Sequence, residues 1–284
     1  MNIVDVSQDM LEKVIDYSFE VNSLNTSRVR GISKDYQVFK NNFEKYLKNK
    51  EDRILLLKDN ERFLGVLLLG VEESEKYIEA IGVFTKEEYS SVFSIFMEYL
   101  KKHYKGYQFD IAYPKENIQA INTLKSVATK CEVTQYEFEV RPEYFPNIEL
   151  SGNIVPLEEK HYEAVRKLHD GTFKEVYWTA DRLFQTKRFD VFVALRNDEV
   201  VGEIVTSNSK MKFENIFFIS TDKDYRRQGI ATGLSAMAVT HCFNKGKERV
   251  MLQVDEDNTA NCVLVESLGF MEIDTNVSFS VNKI

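Results

Sequence analysis

Apolar residues along this chain fall into short runs whose spacing shifts from every second position to every third or fourth and back. The whole series of shifts occurs twice. Residues 53–71 read as a strand, a polar turn at Asp59-Asn60-Glu61 and a second strand. Residues 191–207 have the same shape and turn at Arg196-Asn197-Asp198-Glu199. Gly65 and Gly202 fall at the same place in the second strand of each hairpin. A further strand follows (77–84 and 215–221), then a long helix (about 86–104 and about 229–244), then a central apolar strand (108–112 and 249–254). Each copy continues with a short acidic loop, an asparagine (Asn117, Asn258) and a helix with apolar residues at 3–4 spacing. Those residues are Ile118, Ile121 and Leu124 in the first copy, and Val263, Leu264 and Leu268 in the second. Alternating strands at 136–140 and 277–281 close the copies.

Matched hairpins, a matched asparagine and one order of elements indicate a duplication with a period of roughly 140 residues. Antiparallel hairpins ahead of a parallel β-α-β segment predict an α+β fold with a mixed sheet, built as two tandem domains, 1–145 and 152–284. The stretch 141–152 holds two of the four prolines and a glycine, and reads as the linker. A chain of 284 residues suits two domains of the common ~100–150-residue size.

Composition then removes several classes of function. No apolar run nears the ~18–20 residues of a membrane span, and the N-terminal residues lack the basic-then-apolar layout of a signal peptide. No membrane partner and a cytoplasmic location are therefore expected. Cys131, Cys242 and Cys262 cannot all pair and show no metal-ligand spacing, which suits a reducing compartment and no metal. The net charge is −8 and both halves share the acidic excess, so neither offers the basic face that nucleic acid requires. A cationic or neutral substrate fits better, and no oligomeric state is read from the pattern.

The chemistry concentrates in residues 215–243. A buried strand runs into a polar turn, then Arg226-Arg227-Gln228-Gly229-Ile230-Ala231-Thr232-Gly233, then helix. Small residues at Gly229 and Ala231 let the backbone approach a ligand, and the first N–H groups of the helix point at whatever sits there. The two arginines add charge-assisted donors for phosphate oxygens. Arg226-x-x-Gly229-x-Ala231 matches the R/Q-x-x-G-x-G/A signature of the GNAT (Gcn5-related N-acetyltransferase) family, at the place after a strand where that family carries it. Downstream, Asn258, Leu264, Gly269 and Phe270 fit its second hallmark, N-x-x-A-x-x-L-Y-x-x-x-G-F.

The second half thus resembles an acetyl-CoA-binding GNAT domain. The resemblance implies that the backbone of Ile219, Ser220 and Thr221 pairs with the pantetheine arm. It implies that Arg226, Arg227, Gln228, Gly229, Ile230, Ala231 and Thr232 cradle the pyrophosphate, with Asn258 near the cofactor. It also implies transfer of an acetyl group to a primary amine, on a small molecule or a peptide, by direct attack on the thioester. Asn261 departs from the pattern by replacing Ala. Val265 replaces the Tyr that protonates the leaving thiolate in many members, which leaves that role unassigned and makes room for a larger acyl group.

An amine of lysine type has a pKa near ~10.4 and must shed a proton before attack. Glu214, at the head of the strand, is the carboxylate best placed to take it, ahead of Tyr225, Glu203 and Asp255. A backbone N–H at 220–221 would serve the oxyanion. His161, His169 and His241 lack triad-like company, and Cys242 and Cys262 read as small core residues. At the matching place the first copy has Thr85-Lys86-Glu87-Glu88-Tyr89, with no glycine and two carboxylates, so its fold is kept and its cofactor site lost. That copy is expected to wall the acceptor cleft, to pack as a pseudo-dimer partner or to bind the acceptor. A second reading of the whole chain is a non-catalytic acyl-CoA-binding or sensing protein, which Val265 favours.

Overall fold

A computed structural model describes residues 1–127, 131–146, 148, 153–174 and 176–281, with the backbone alone at Cys131. The expected α+β architecture in tandem is present. The first half runs β1 (Asn2–Asp5), α1 (Leu11–Asn22), α2 (Tyr36–Lys48), β2 (Arg53–Asp59), β3 (Arg62–Glu72), β4 (Tyr77–Phe84), α3 (Tyr89–His103), β5 (Gln108–Pro114), α4 (Ile118–Ser126) and β6 (Cys131–Val140). The second repeats the order as β7 (Asn153–Pro156), α5 (Tyr162–Thr172), α6 (Ala180–Phe184), β8 (Phe189–Arg196), β9 (Glu199–Ser207), β10 (Phe213–Thr221), α7 (Ile230–Asn244), β11 (Arg249–Asp255), α8 (Thr259–Ser267) and β12 (Met271–Val281).

Local chemistry accounts for the shared features. The hairpin turns use Asn60 (φ 53°) in one copy and Asn197 and Asp198 (φ 49° and 64°) in the other, residue types that tolerate the left-handed region. A Cβ on Gly65 would meet Val92 and Phe96 of α3, and one on Gly202 would meet Ile230 and Leu234 of α7. The matched glycines therefore exist for one reason, the close approach of a helix to the sheet. Asn117 and Asn258 each accept a hydrogen bond from the backbone N–H three residues on, at 3.2 Å, and so cap α4 and α8.

The strands form two compact units, Met1–Gln135 with Thr275 onward, and Tyr136–Asp274. In the first, β12 completes the order β1-β2-β3-β4-β5-β12, pairing Asn276–Val281 antiparallel to Pro114–Phe109. In the second, β6 completes the order β6-β11-β10-β9-β8-β7. These units differ from the division at 145 and 152 read from the sequence, because each takes its last strand from the other half of the chain. Of the linker read at 141–152, residues 147 and 149–152 lie outside the described residues.

Each unit carries a parallel pair beside antiparallel ones. Strands β4 and β5 pair over Tyr77–Ala80, and β10 and β11 over Phe213–Ile216. Past those four-residue stretches the parallel partners separate, while β3 holds β4 to Phe84 and β9 holds β10 to Thr221. One edge of β10 is thereby left open at 218–221, just ahead of α7. The core of the second unit forms around Leu234, Ala238 and Val239 of α7 with Ile204, Val250 and Leu268. The first is built on Leu55–Leu57, Leu67–Leu69 and the rings of Phe39, Phe43, Phe84 and Phe96. Among the described residues no helix is long and apolar enough to cross a membrane.

Candidate functional site

The open edge of β10, the turn after it and α8 enclose a cleft of about 570 Å³. Ile219, Ser220, Thr221, Arg226, Arg227, Gly229, Ile230, Ala231, Thr232 and Asn258 all line it, so the geometry gathers every cofactor residue read from the sequence except Gln228. Gln228 turns away, and its Nε2 donates to the Asp224 carbonyl at 3.4 Å. Gly229 adopts φ 78° as the N-cap of α7, and nothing lies within 4 Å of where its Cβ would be. The glycine serves a left-handed turn and clears the helix mouth. Arg227 shares that backbone region at φ 62°. The first described intrahelical bond of α7 runs from Gly233 N–H to Gly229 O at 2.9 Å, so the N–H groups of Ile230, Ala231 and Thr232 face out of the helix end. These donors, with the two guanidinium groups, fit a polyanion.

Thr172, Ala260, Asn261, Val263, Leu264 and Ser267 complete the lining. Thr172 ends α5, which only the tertiary fold brings to β10. Val265 is elsewhere: it is buried at 3% exposure in the core formed with α7. The space beside the thioester that the Tyr-to-Val departure suggested is therefore not made by Val265.

Glu214 is placed outside the cleft. It lies at the far end of β10 from Ser220, roughly 20 Å along the strand at about 3.3 Å per residue. Its buried carboxylate pairs with buried Lys247 at 2.5 Å, and it accepts from Ser207 Oγ and from Ser209 N–H at 2.9 Å. Burial works to raise its pKa, but the Lys247 and serine hydrogen bonds outweigh it and hold the carboxyl below the ordinary range. A bulge at Phe217 decides the matter. Ile216 pairs with Thr206 but Phe218 pairs with Val205, so side chains after the bulge exchange faces. Glu214 and Ile216 share the α7 side with Gly202, whereas Phe218 and Ser220 share the α5 side with Glu203.

Glu203, weighed above as a competitor, is joined to the cleft through the lining residue Ser220. Its side chain is fully buried and accepts from Ser220 Oγ at 3.0 Å, with His169 Nδ1 at 2.9 Å from the same oxygen. Sequence reasoning set His169 aside because its company is tertiary: α5 delivers it across β9 and β10.

In the first unit the matching gap between β4 and β5 is bridged from within. The buried Tyr113 hydroxyl donates to the Gly82 carbonyl, and Tyr89 Oη sits 2.6 Å from Tyr113 Oη. Glu88 stands as N-cap of α3 where Gly229 heads α7.

Comparison with known proteins bears on this cleft. The profile of the acetyltransferase (GNAT) family matches residues 157–270. N-alpha-acetyltransferase 30 of Schizosaccharomyces pombe is 32% identical over 83 residues, 28% of this chain and 55% of that protein, so the chain spans about half the length of this curated relative. A GCN5-related N-acetyltransferase from Sphaerobacter thermophilus superposes with a TM-score of 0.74 at 11% identity, covering 99% of this chain and 95% of its own. A tandem GNAT protein from the clavulanic acid biosynthesis pathway superposes with a TM-score of 0.62 at 12% identity, covering 100% and 98%. At these identities the two structures speak for the fold.

Proposed function

From the premise that residues 157–270 belong to the acetyltransferase (GNAT) family, we propose that the second unit binds acetyl-CoA and transfers its acyl group to a primary amine. The observation that carries the reading is the meeting of Gly229 in the left-handed region, the free first turn of α7 and Arg226 and Arg227 at one end of a cleft whose other end is the open edge of β10. In this reading the pyrophosphate lies against Arg226–Thr232. The pantetheine arm runs as an extra strand along the backbone of 219–221, whose N–H groups also receive the oxyanion.

One acetyl-CoA binds per chain. In the first unit Tyr113 and Tyr89 fill the gap where the arm would lie, and Glu88 puts a carboxylate where the phosphates would sit. That unit supports the second, and the acceptor is a small-molecule or peptide amine.

Titration calorimetry with acetyl-CoA is expected to give a stoichiometry near one for the full chain, and no binding for Gly229→Glu. Two sites per chain, or undiminished binding by the variant, would defeat the reading. Release of free thiol from acetyl-CoA with a panel of amines tests the transfer. Tight binding without release across the panel would make the chain a sensor.

A further inference from the structure

Beside the cleft lies a polar cluster that cofactor binding does not explain. His169 and Glu203 have side chains with 0% exposure, although each is a residue type that seeks water. His169 Nε2 is 2.9 Å from the carbonyl oxygen of Trp178. A carbonyl only accepts, so Nε2 carries hydrogen. Nδ1 then faces Glu203 Oε1 at 2.9 Å, a contact that requires a proton between them. Burial lowers the His169 pKa, but the hydrogen bond and charge of Glu203 overcome it and the net direction is up; Asp170 on α5 acts the same way. One proton thus lies between Nδ1 and Oε1, and the direction of the shift favours holding it on the ring. Ser220 Oγ donates to that same oxygen and Ser220 lines the cleft. Glu203 Oε2 is buried and has no hydrogen-bond partner among the described residues.

We propose that Ser220, Glu203 and His169 form the route by which the acceptor nitrogen gives up its proton. Ser220 Oγ touches the nitrogen, and Glu203 and His169 are positioning residues behind it. The proposal rests on the acyl-transfer reading.

The free amine bonds to the thioester carbonyl carbon, the carbonyl π pair moves to oxygen, and the nitrogen becomes cationic and acidic. One N–H bond breaks. Its proton passes to Ser220 Oγ as the hydroxyl proton of Ser220 moves onto Glu203. The oxygen pair then re-forms the carbonyl, the C–S bond breaks, and its electrons leave on sulfur. The proton on Glu203 returns through Ser220 to water, and water protonates the thiolate, so atoms and charge balance. His169 keeps its proton throughout and holds the carboxyl plane against Ser220.

The test uses the full chain with acetyl-CoA and 2-phenylethylamine as the probe amine, chosen because the rings of Phe173 and Phe218 pack on His169. Thiol release is followed together with acetyl-CoA affinity and melting temperature. Ser220→Ala and Glu203→Gln are expected to lower kcat by about 10²–10⁴-fold with acetyl-CoA affinity unchanged. Ser220→Thr, which keeps the hydroxyl, should recover most of the loss, whereas a purely structural role would lower melting temperature and acetyl-CoA affinity together with kcat. Nitrogen NMR of His169 in the parent should show both ring nitrogens protonated at neutral pH. Parental kcat in both Ser220→Ala and Glu203→Gln, in an enzyme that does turn over, would overturn this proposal alone. No thiol release by the parent, with His169 singly protonated, would overturn it together with the acyl-transfer reading.

Discussion

Glu214 and Glu203 sit on adjacent antiparallel strands, yet the bulge at Phe217 sends their neighbourhoods to opposite faces of the sheet. Glu214 meets Lys247, whose ammonium is also fixed by the carbonyls of Ser209 and Met211 at 2.6 and 2.8 Å. Removing one member of a buried ion pair costs about 3–5 kcal/mol, because the other charge stays buried. Glu214→Gln is therefore expected to lower stability by about 3 kcal/mol, at the small end since Gln keeps the shape. Chemical denaturation measures the loss, and acetyl-CoA affinity of the remaining folded protein should be unchanged.

The sign with pH follows from the lowered pKa of Glu214. Its contribution is complete above the ordinary carboxylate value near ~4.3 and fades as pH falls through its depressed folded value, and the variant should lack that fading. Val265 makes a second case at this scale. At 3% exposure in a packed core, a Tyr there adds a ring without room. Val265→Tyr should destabilise by about 1–3 kcal/mol, read as a fall in melting temperature, without restoring an acid to the cleft.

Among elements, the strand-to-helix joint of β10 and α7 was legible from residue types alone. Gly229 and Ala231 are small and Arg226 and Arg227 are cationic, and nothing beyond neighbours in sequence is needed to bring them together at the mouth of α7. Two glycines in this joint have different duties, and substitution separates them. Gly229→Ala meets no atom but keeps φ 78°, so backbone strain of about 1–2 kcal/mol is its cost. Gly202→Ala puts a Cβ about 3.0 Å from Ile230, Leu234 and the Ser220 carbonyl. That must push α7 off the sheet or shift β10, at about 1–3 kcal/mol, and should weaken acetyl-CoA binding as well as stability. Calorimetric titration and thermal melting on the two variants check the difference: affinity should fall further for Gly202→Ala than melting temperature alone would suggest.

For the molecule as a whole, the closing strands decide where a unit ends. Asn276–Val281 of β12 cover Phe109–Pro114 of β5, and buried Val277, Phe279 and Val281 belong to the first core. Phe138 and Val140 of β6 belong to the second core. Cutting at the linker therefore strips a strand from each unit and exposes an apolar sheet edge, which favours aggregation. Fragments 1–146 and 153–284 expressed apart are expected to be poorly soluble and to lack a cooperative melt. Co-expression should restore a soluble complex. Two independently stable, monomeric fragments would contradict this exchange of strands.

What the sequence by itself determined is everything that depends on residues close along the chain. Period-2 and 3–4 spacing set the elements, Asn-Asp turns set the hairpins, Asn117 and Asn258 set the helix caps, and the Arg-x-x-Gly-x-Ala turn set the left-handed entry to α7. Glu214 as base, His169 as bystander and the boundary at 145 and 152 rest instead on distant partners. A one-residue bulge inverts side-chain facing, a helix carries His169 to a strand it does not adjoin in sequence, and a strand leaves its own half to pair with the other. Alternation along a strand is blind to all three. They are settled by which surfaces bury together, and only the tertiary structure decides that.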